Sequence, residues 1–185
     1  MKKKYIILLI LLLVIVLIAV FSGRNYSTLK QQESNFSVKD TASITKIFMA
    51  DNNVNEVVLK RTPHGWVLNN KYPANGKAVA LLLETIRKIK VKAPVSKAEH
   101  NNVVKRMAGF AVKVEIYQKV PRINLFNKIK LFYHEKKTRV FYVGDVTQNN
   151  LGTYMLMEGA KHPYVVYIPG FRGFVSIRFS PKPDD

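Results

Sequence analysis

The chain opens with an apolar run that no polar residue interrupts. Lys2, Lys3 and Lys4 precede seventeen uncharged residues, Tyr5 to Phe21, rich in Leu, Ile and Val. A helix formed there has no polar face, so it does not read as one flank of a globular core. At about 1.5 Å per residue the run extends roughly 25 Å, and membrane spans begin at about 17 residues. A cleaved leader, the competing reading, has only about 7–15 apolar residues and small residues at the cut, and Val20-Phe21-Ser22 is only a mediocre cleavage site. The pattern predicts an uncleaved signal anchor, with Tyr5 and the lysines at the interface. Three lysines lie before the run and only Arg24 lies close after it. The positive-inside rule then keeps residues 1–4 as a cytoplasmic stub and puts the rest outside the cytoplasm.

Past the run, residues 22–35 are polar and without periodicity, which reads as a tether. A domain is expected over residues 36–180, with a tail at 181–185. Its first part carries short strands separated by turn clusters: Ile44–Ala50, Glu56–Arg61 and Trp66–Leu68, with turns at Asp51-Asn52-Asn53, Pro63-His64-Gly65 and Asn69-Asn70. The period then changes. Val79, Leu82, Leu83, Ile86 and Ile89 form one helical stripe, capped by Asn75, that should pack on the sheet. A second helix follows Pro94. Ser96 and Glu99 match a capping box, His100, Val103, Val104 and Met107 share a face, and Gly109 ends it. From Ala111 the alternation returns: Val112, Val114 and Ile116 against Lys113 and Glu115. The strands Ile129–His134, Arg139–Val143, Thr153–Met157 and Tyr164–Ile168 follow, some apolar on both faces as central strands are. Glu135-Lys136-Lys137 and Glu158-Gly159-Ala160 read as turns. The order strands, two helices, strands predicts an α+β domain on an antiparallel sheet, not a doubly wound one.

Charge narrows the partners. The chain has 30 Lys and Arg against 12 Asp and Glu, a net +18; without Lys2, Lys3 and Lys4 it is 27 − 12 = +15. Such a field attracts anionic lipid or envelope polymer over a Debye length of about 8 Å. Nucleic acid would want basic residues interleaved with exposed aromatics, and Lys128, Lys130, Tyr133 and Arg139 could be so arranged. A domain outside the cytoplasm meets little of it, so no nucleic-acid partner is expected. There is no cysteine, which removes disulfides, thiolate metal sites, thiol nucleophiles and acylated-Cys anchoring.

Candidate chemistry is sparse. His64, His100, His134 and His162 are far apart and form no H-x-x-x-H pattern, so no metal site is expected. No nucleophile elbow and no phosphate-binding glycine loop occurs, and no cofactor is expected. Asp145, after Gly144, is the one carboxylate whose context merits a catalytic reading; a turn residue is the plainer one. Pro169-Gly170-Phe171-Arg172-Gly173 is the most distinctive local motif. Its glycines permit positive φ and could present Phe171 and Arg172 to a partner, or Phe171 could tuck into the core.

Several stretches carry a resemblance. They are Phe36-Ser37-Val38-Lys39-Asp40-Thr41, Trp66-Val67-Leu68-Asn69, Leu81-Leu82-Leu83 with Ile86, Lys92-Ala93-Pro94-Val95, Val112–Tyr117, Tyr142-Val143-Gly144, Gly152-Thr153-Tyr154-Met155-Leu156 and the Pro169–Gly173 loop. Together they resemble a bacterial family known as domain of unknown function 4340, over about residues 36–179. The resemblance implies an inner-membrane protein with one N-terminal span and a periplasmic domain, associated in some relatives with ABC-type export or gliding systems. It implies no catalytic residue. The expected function is a non-enzymatic accessory or binding module of an envelope complex. Two alternatives stand beside it: an envelope hydrolase with a dispersed site, and an electrostatic binder of anionic lipid or cell-wall polymer.

Overall fold

A computed structural model describes the backbone of residues 2–22, 33–125 and 129–182, and the side chains of residues 3–16, 33–124 and 130–182. Most of the expected tether, Lys128 and the last three residues of the tail lie outside the described residues. Two compact units divide the chain, residues 1–32 and 33–185.

The first unit is helix α1, Lys2–Ser22, 21 residues long. From Tyr5 to Val16 every side chain is exposed and apolar. Among the described residues no helix is long and apolar enough to cross a membrane. The anchor expected over Tyr5–Phe21 rests on the sequence alone.

The second unit is α+β, built on one antiparallel sheet. Its strands are β1 (Ile44–Ala50), β2 (Glu56–Thr62), β3 (Gly65–Leu68), β4 (Tyr72–Pro73), β5 (Lys90–Pro94), β6 (Val112–Leu125), β7 (Ile129–Val146), β8 (Thr153–Met157) and β9 (Tyr164–Tyr167), in the spatial order β4-β3-β2-β1-β6-β7-β8-β9-β5. Helix α2 is Gly76–Lys88 and helix α3 is Lys97–Phe110. Short 3-10 turns stand at Thr41–Ser43 and Ser176–Arg178.

Alternation along the strands sorts the residues onto two faces. The front face carries Ile47, Met49, Val57, Leu59, Val114, Ile116, Phe141, Val143, Met155 and Val166, all in the main core. The stripe of α2 joins them through buried Val79, Leu82 and Ile86, each contributing about 1.5–3 kcal/mol by burial. Asn75 caps α2 as expected, accepting from the amides of Lys77 and Ala78. Phe36 and Phe179 each meet Phe141 edge-on, with ring centroids 6.0 Å apart in both pairs. Those pairs bind the entry and exit segments of the domain to β7.

Helix α3 packs on the back face, where Val103 and Met107 meet Ala111 and Tyr154, with Tyr142, Leu156 and Val165 against them. Gly144 makes this approach possible. A Cβ there would lie 2.8 Å from Met107 Cγ and 3.3 Å from the Tyr154 carbonyl oxygen. Ser96 caps α3 by accepting from the Glu99 amide at 3.3 Å.

Four expectations need correction. Glu135-Lys136-Lys137 is not a turn: β7 runs through it, pairing Glu135 with Lys119, Lys136 with Gln118 and Lys137 with Tyr117. The ribbon is exposed there, so charge clusters without a bend. Lys90–Pro94 is an edge strand, β5, placed between the two helices and paired with β9. Its mostly exposed residues and terminal proline suit an edge and hide it from a hydrophobic pattern. Helix α3 continues through Gly109 to Phe110, with extended Ala111 as its cap. β9 ends at Tyr167, one residue early.

Candidate functional site

Asp145 is placed by β7 beside α3. Its Oδ2 accepts from Arg106 Nε at 3.1 Å and from a terminal nitrogen of Arg106 at 2.6 Å. The carboxylate therefore ties α3 to the sheet. No histidine contacts it among the interactions described, and it lines none of the cavities below. His100 and His162 do approach, with ring centroids 5.5 Å apart. Among the described residues no group of three or more ligating side chains could hold a metal.

The Pro169–Gly173 loop has the geometry its glycines imply. Phe171 N–H donates to the Ile168 carbonyl at 3.1 Å, and Gly170 sits at φ 78°. This is a turn with proline at its second position and glycine at its third, where positive φ is required. Phe171 is neither fully presented nor tucked into the core. It is 40% exposed, and the Arg178 guanidinium stacks on its ring, 4.5 Å from the centroid. Arg172 is exposed beside it.

Phe171 forms part of the wall of a cavity of about 520 Å³ on the front face, within the usual range of small-molecule sites, about 300–1,000 Å³. Its floor is Met49, Val57 and Leu59, one wall is Val79 and Leu82 of α2, and Ile177 stands exposed at the opening. Two cations, Arg178 and Lys182, complete the lining. Arg178 is fixed: one of its terminal N–H groups donates to Thr85 Oγ1 at 2.9 Å, and that hydroxyl donates to the Leu81 carbonyl at 2.8 Å. Glu84 feels the Arg178 charge but is itself paired with Lys88. The site is a greasy slot with positive charge fixed at its edge.

A second arrangement lies on the part of the back face that α3 does not cover. Lys46, Phe48, Val58, Lys60, Glu115 and Tyr117 line a shallow recess there. Glu115 is 8% exposed. It accepts from Tyr117 at 2.6 Å and pairs with Lys113 at 3.0 Å and Lys137 at 3.2 Å. Burial alone would raise its pKa. The Tyr117 hydroxyl and the two ammonium groups outweigh that and hold it at about 2. Through the same hydrogen bond and its own burial, the Tyr117 hydroxyl is pushed up to about 12. Lys46 sits 3.7 Å above the Tyr117 ring.

Sequence reasoning found Phe171 through its glycine-bounded loop. It missed the rest of the slot, which residues 49–82 and 171–182 assemble across the intervening strands. It also missed Lys137, which reaches Glu115 only through the β6–β7 register. No family model, no curated protein and no solved structure matches this chain.

Proposed function

We propose that the chain is a single-pass membrane protein whose outer domain is a binding module, with the front-face slot receiving the apolar chain of an anionic amphiphile. The slot carries this reading. Its apolar floor and walls suit a hydrocarbon chain, and Arg178 and Lys182 suit an anionic head at the opening. The anchor is supported by the seventeen uncharged residues from Tyr5 to Phe21 behind three lysines. The resemblance to family 4340 extends the reading to an accessory subunit of an inner-membrane complex, with this domain in the periplasm.

The test is photolabelling of the full chain in lipid nanodiscs with a diazirine-bearing fatty acid. Adducts are expected on peptides spanning residues 57–82 and 171–182, besides those on α1 from the bilayer itself. Ala78→Phe places a ring at the mouth of the slot without touching the core, and should abolish the domain adducts only. Domain labelling unaffected by Ala78→Phe, or confined to α1, would overturn the reading.

A second reading, capture of an anionic polymer, is favoured by the lysines around the back-face recess. Binding there should fall steeply with salt, whereas retention in the slot should not.

A further inference from the structure

The longest element pair of the domain reaches past the rest of it. β1 pairs with β6 only as far as Gln118, and β7 pairs with β8 only from Phe141. Beyond those points β6 and β7 continue together, Lys119 opposite Glu135, Ile123 opposite Leu131 and Leu125 opposite Ile129. Six residue steps at about 3.4 Å give the free ribbon roughly 20 Å of reach. A two-stranded ribbon alone in water is marginal, and this one has no third strand among the described residues.

Its two faces differ. Register places Pro121, Ile123, Leu131 and Tyr133 on one face, with Lys119 at its base, and Val120, Arg122, Asn124, Lys130 and His134 on the other. Ile123, Leu131 and Tyr133 are all exposed, and Phe132 is 69% exposed. Phe132 also sits at φ 57°, unusual for a bulky residue. Lys119 lies 6.0 Å from the Tyr133 ring centroid. From Ile116 to His134 the sequence contains no Asp or Glu.

The geometry points to this ribbon as an arm that docks on an anionic bilayer surface, with Ile123, Leu131 and Tyr133 entering the headgroup region and Lys119 and Lys130 meeting lipid phosphates. Apolar and aromatic residues backed by cations are the chemistry of interfacial segments, and tyrosine favours that depth. A second copy is a poor occupant, because two such ribbons bring like charge together. The inference takes from the proposed function only that the chain is held at a bilayer.

The chain has no cysteine, so single labelling sites are available. Ile123→Cys, carrying an environment-sensitive fluorophore, is compared with Val54→Cys. Val54 is 87% exposed in the turn between β1 and β2, at the opposite end of β1 from the arm. The full chain is reconstituted into vesicles of phosphatidylcholine with or without phosphatidylglycerol, and nitroxide-labelled lipid is the quencher. With the anionic lipid, the label at position 123 should shift to the blue and be quenched, while the label at position 54 keeps its water-like emission. Lys119→Glu with Lys130→Glu should abolish the effect without lowering the melting temperature appreciably. A water-like spectrum at position 123 in both lipids overturns the inference. So does a blue shift without lipid quenching, which would indicate a protein partner or a second copy. Flotation after alkaline wash reports the anchor separately. If the chain washes free, vesicles added back read the arm by the same label.

Discussion

Glu115 is the residue whose chemistry departs furthest from the ordinary. Its folded pKa of about 2 lies below the ordinary carboxylate value of 4.5, so folding favours the charged form. The resulting stabilisation is present above about pH 4.5 and is lost as pH falls toward about 2. The shift corresponds to at most about 3 kcal/mol, and to less once the partly exposed Lys113 and Lys137 are screened. Glu115→Gln should lower stability by about 1–3 kcal/mol at neutral pH, and the difference from wild type should shrink between pH 4.5 and 2. Chemical denaturation across that range measures it; a difference independent of pH would mean the carboxylate is not the source. The alternation of Val112, Val114 and Ile116 with Lys113 and Glu115 on β6 was readable from sequence as a half-exposed strand. The network was not, because Lys137 joins it from a stretch that reads as a turn.

Among the elements, helix α2 was the most legible: its stripe, its Asn75 cap and its packing all follow from one period and one side chain. The β6–β7 arm was the least legible. A ribbon exposed on both faces carries no burial alternation, so Glu135-Lys136-Lys137 suggests a turn where the strand continues, with only a register shift beside Lys137. Strand β5 was hidden for a related reason, since an edge strand buries little. Helix α3 was placed correctly from its cap and its apolar face, but Asp145 drew a catalytic reading that its geometry does not favour. The Arg106–Asp145 pair is about half exposed at both ends, which limits its value to about 1 kcal/mol or less. Asp145→Asn should therefore lower the melting temperature by a few degrees at most and leave fatty-acid photolabelling of the slot unchanged. Loss of labelling in that variant, with the fold intact by circular dichroism, would put Asp145 back in the functional site.

At the scale of the whole chain, the two units make different demands on their surroundings. The domain buries its own core beneath α2 and around Phe36, Phe141 and Phe179, and needs no lipid for that. In α1, by contrast, apolar side chains are exposed from Tyr5 to Val16, and water is a poor solvent for such a surface at about 25 cal/mol per Å². A bilayer would remove that cost, and under the proposed function the lysines at positions 2–4 would set direction, because moving them across the membrane is the expensive alternative. A reporter active only outside the cytoplasm, fused after Asp185, should be active, and the same position should silence a reporter that needs the cytosol. Replacing Lys2, Lys3 and Lys4 with Glu while adding lysines after Phe21 should reverse the pair of signals in a measurable fraction of chains. Cytosolic activity in the unmodified fusion would mean that the N-terminal run is held by something other than a bilayer. The amphiphile reading of the slot would then lose its source of ligand, and the arm would lose the surface it is proposed to meet.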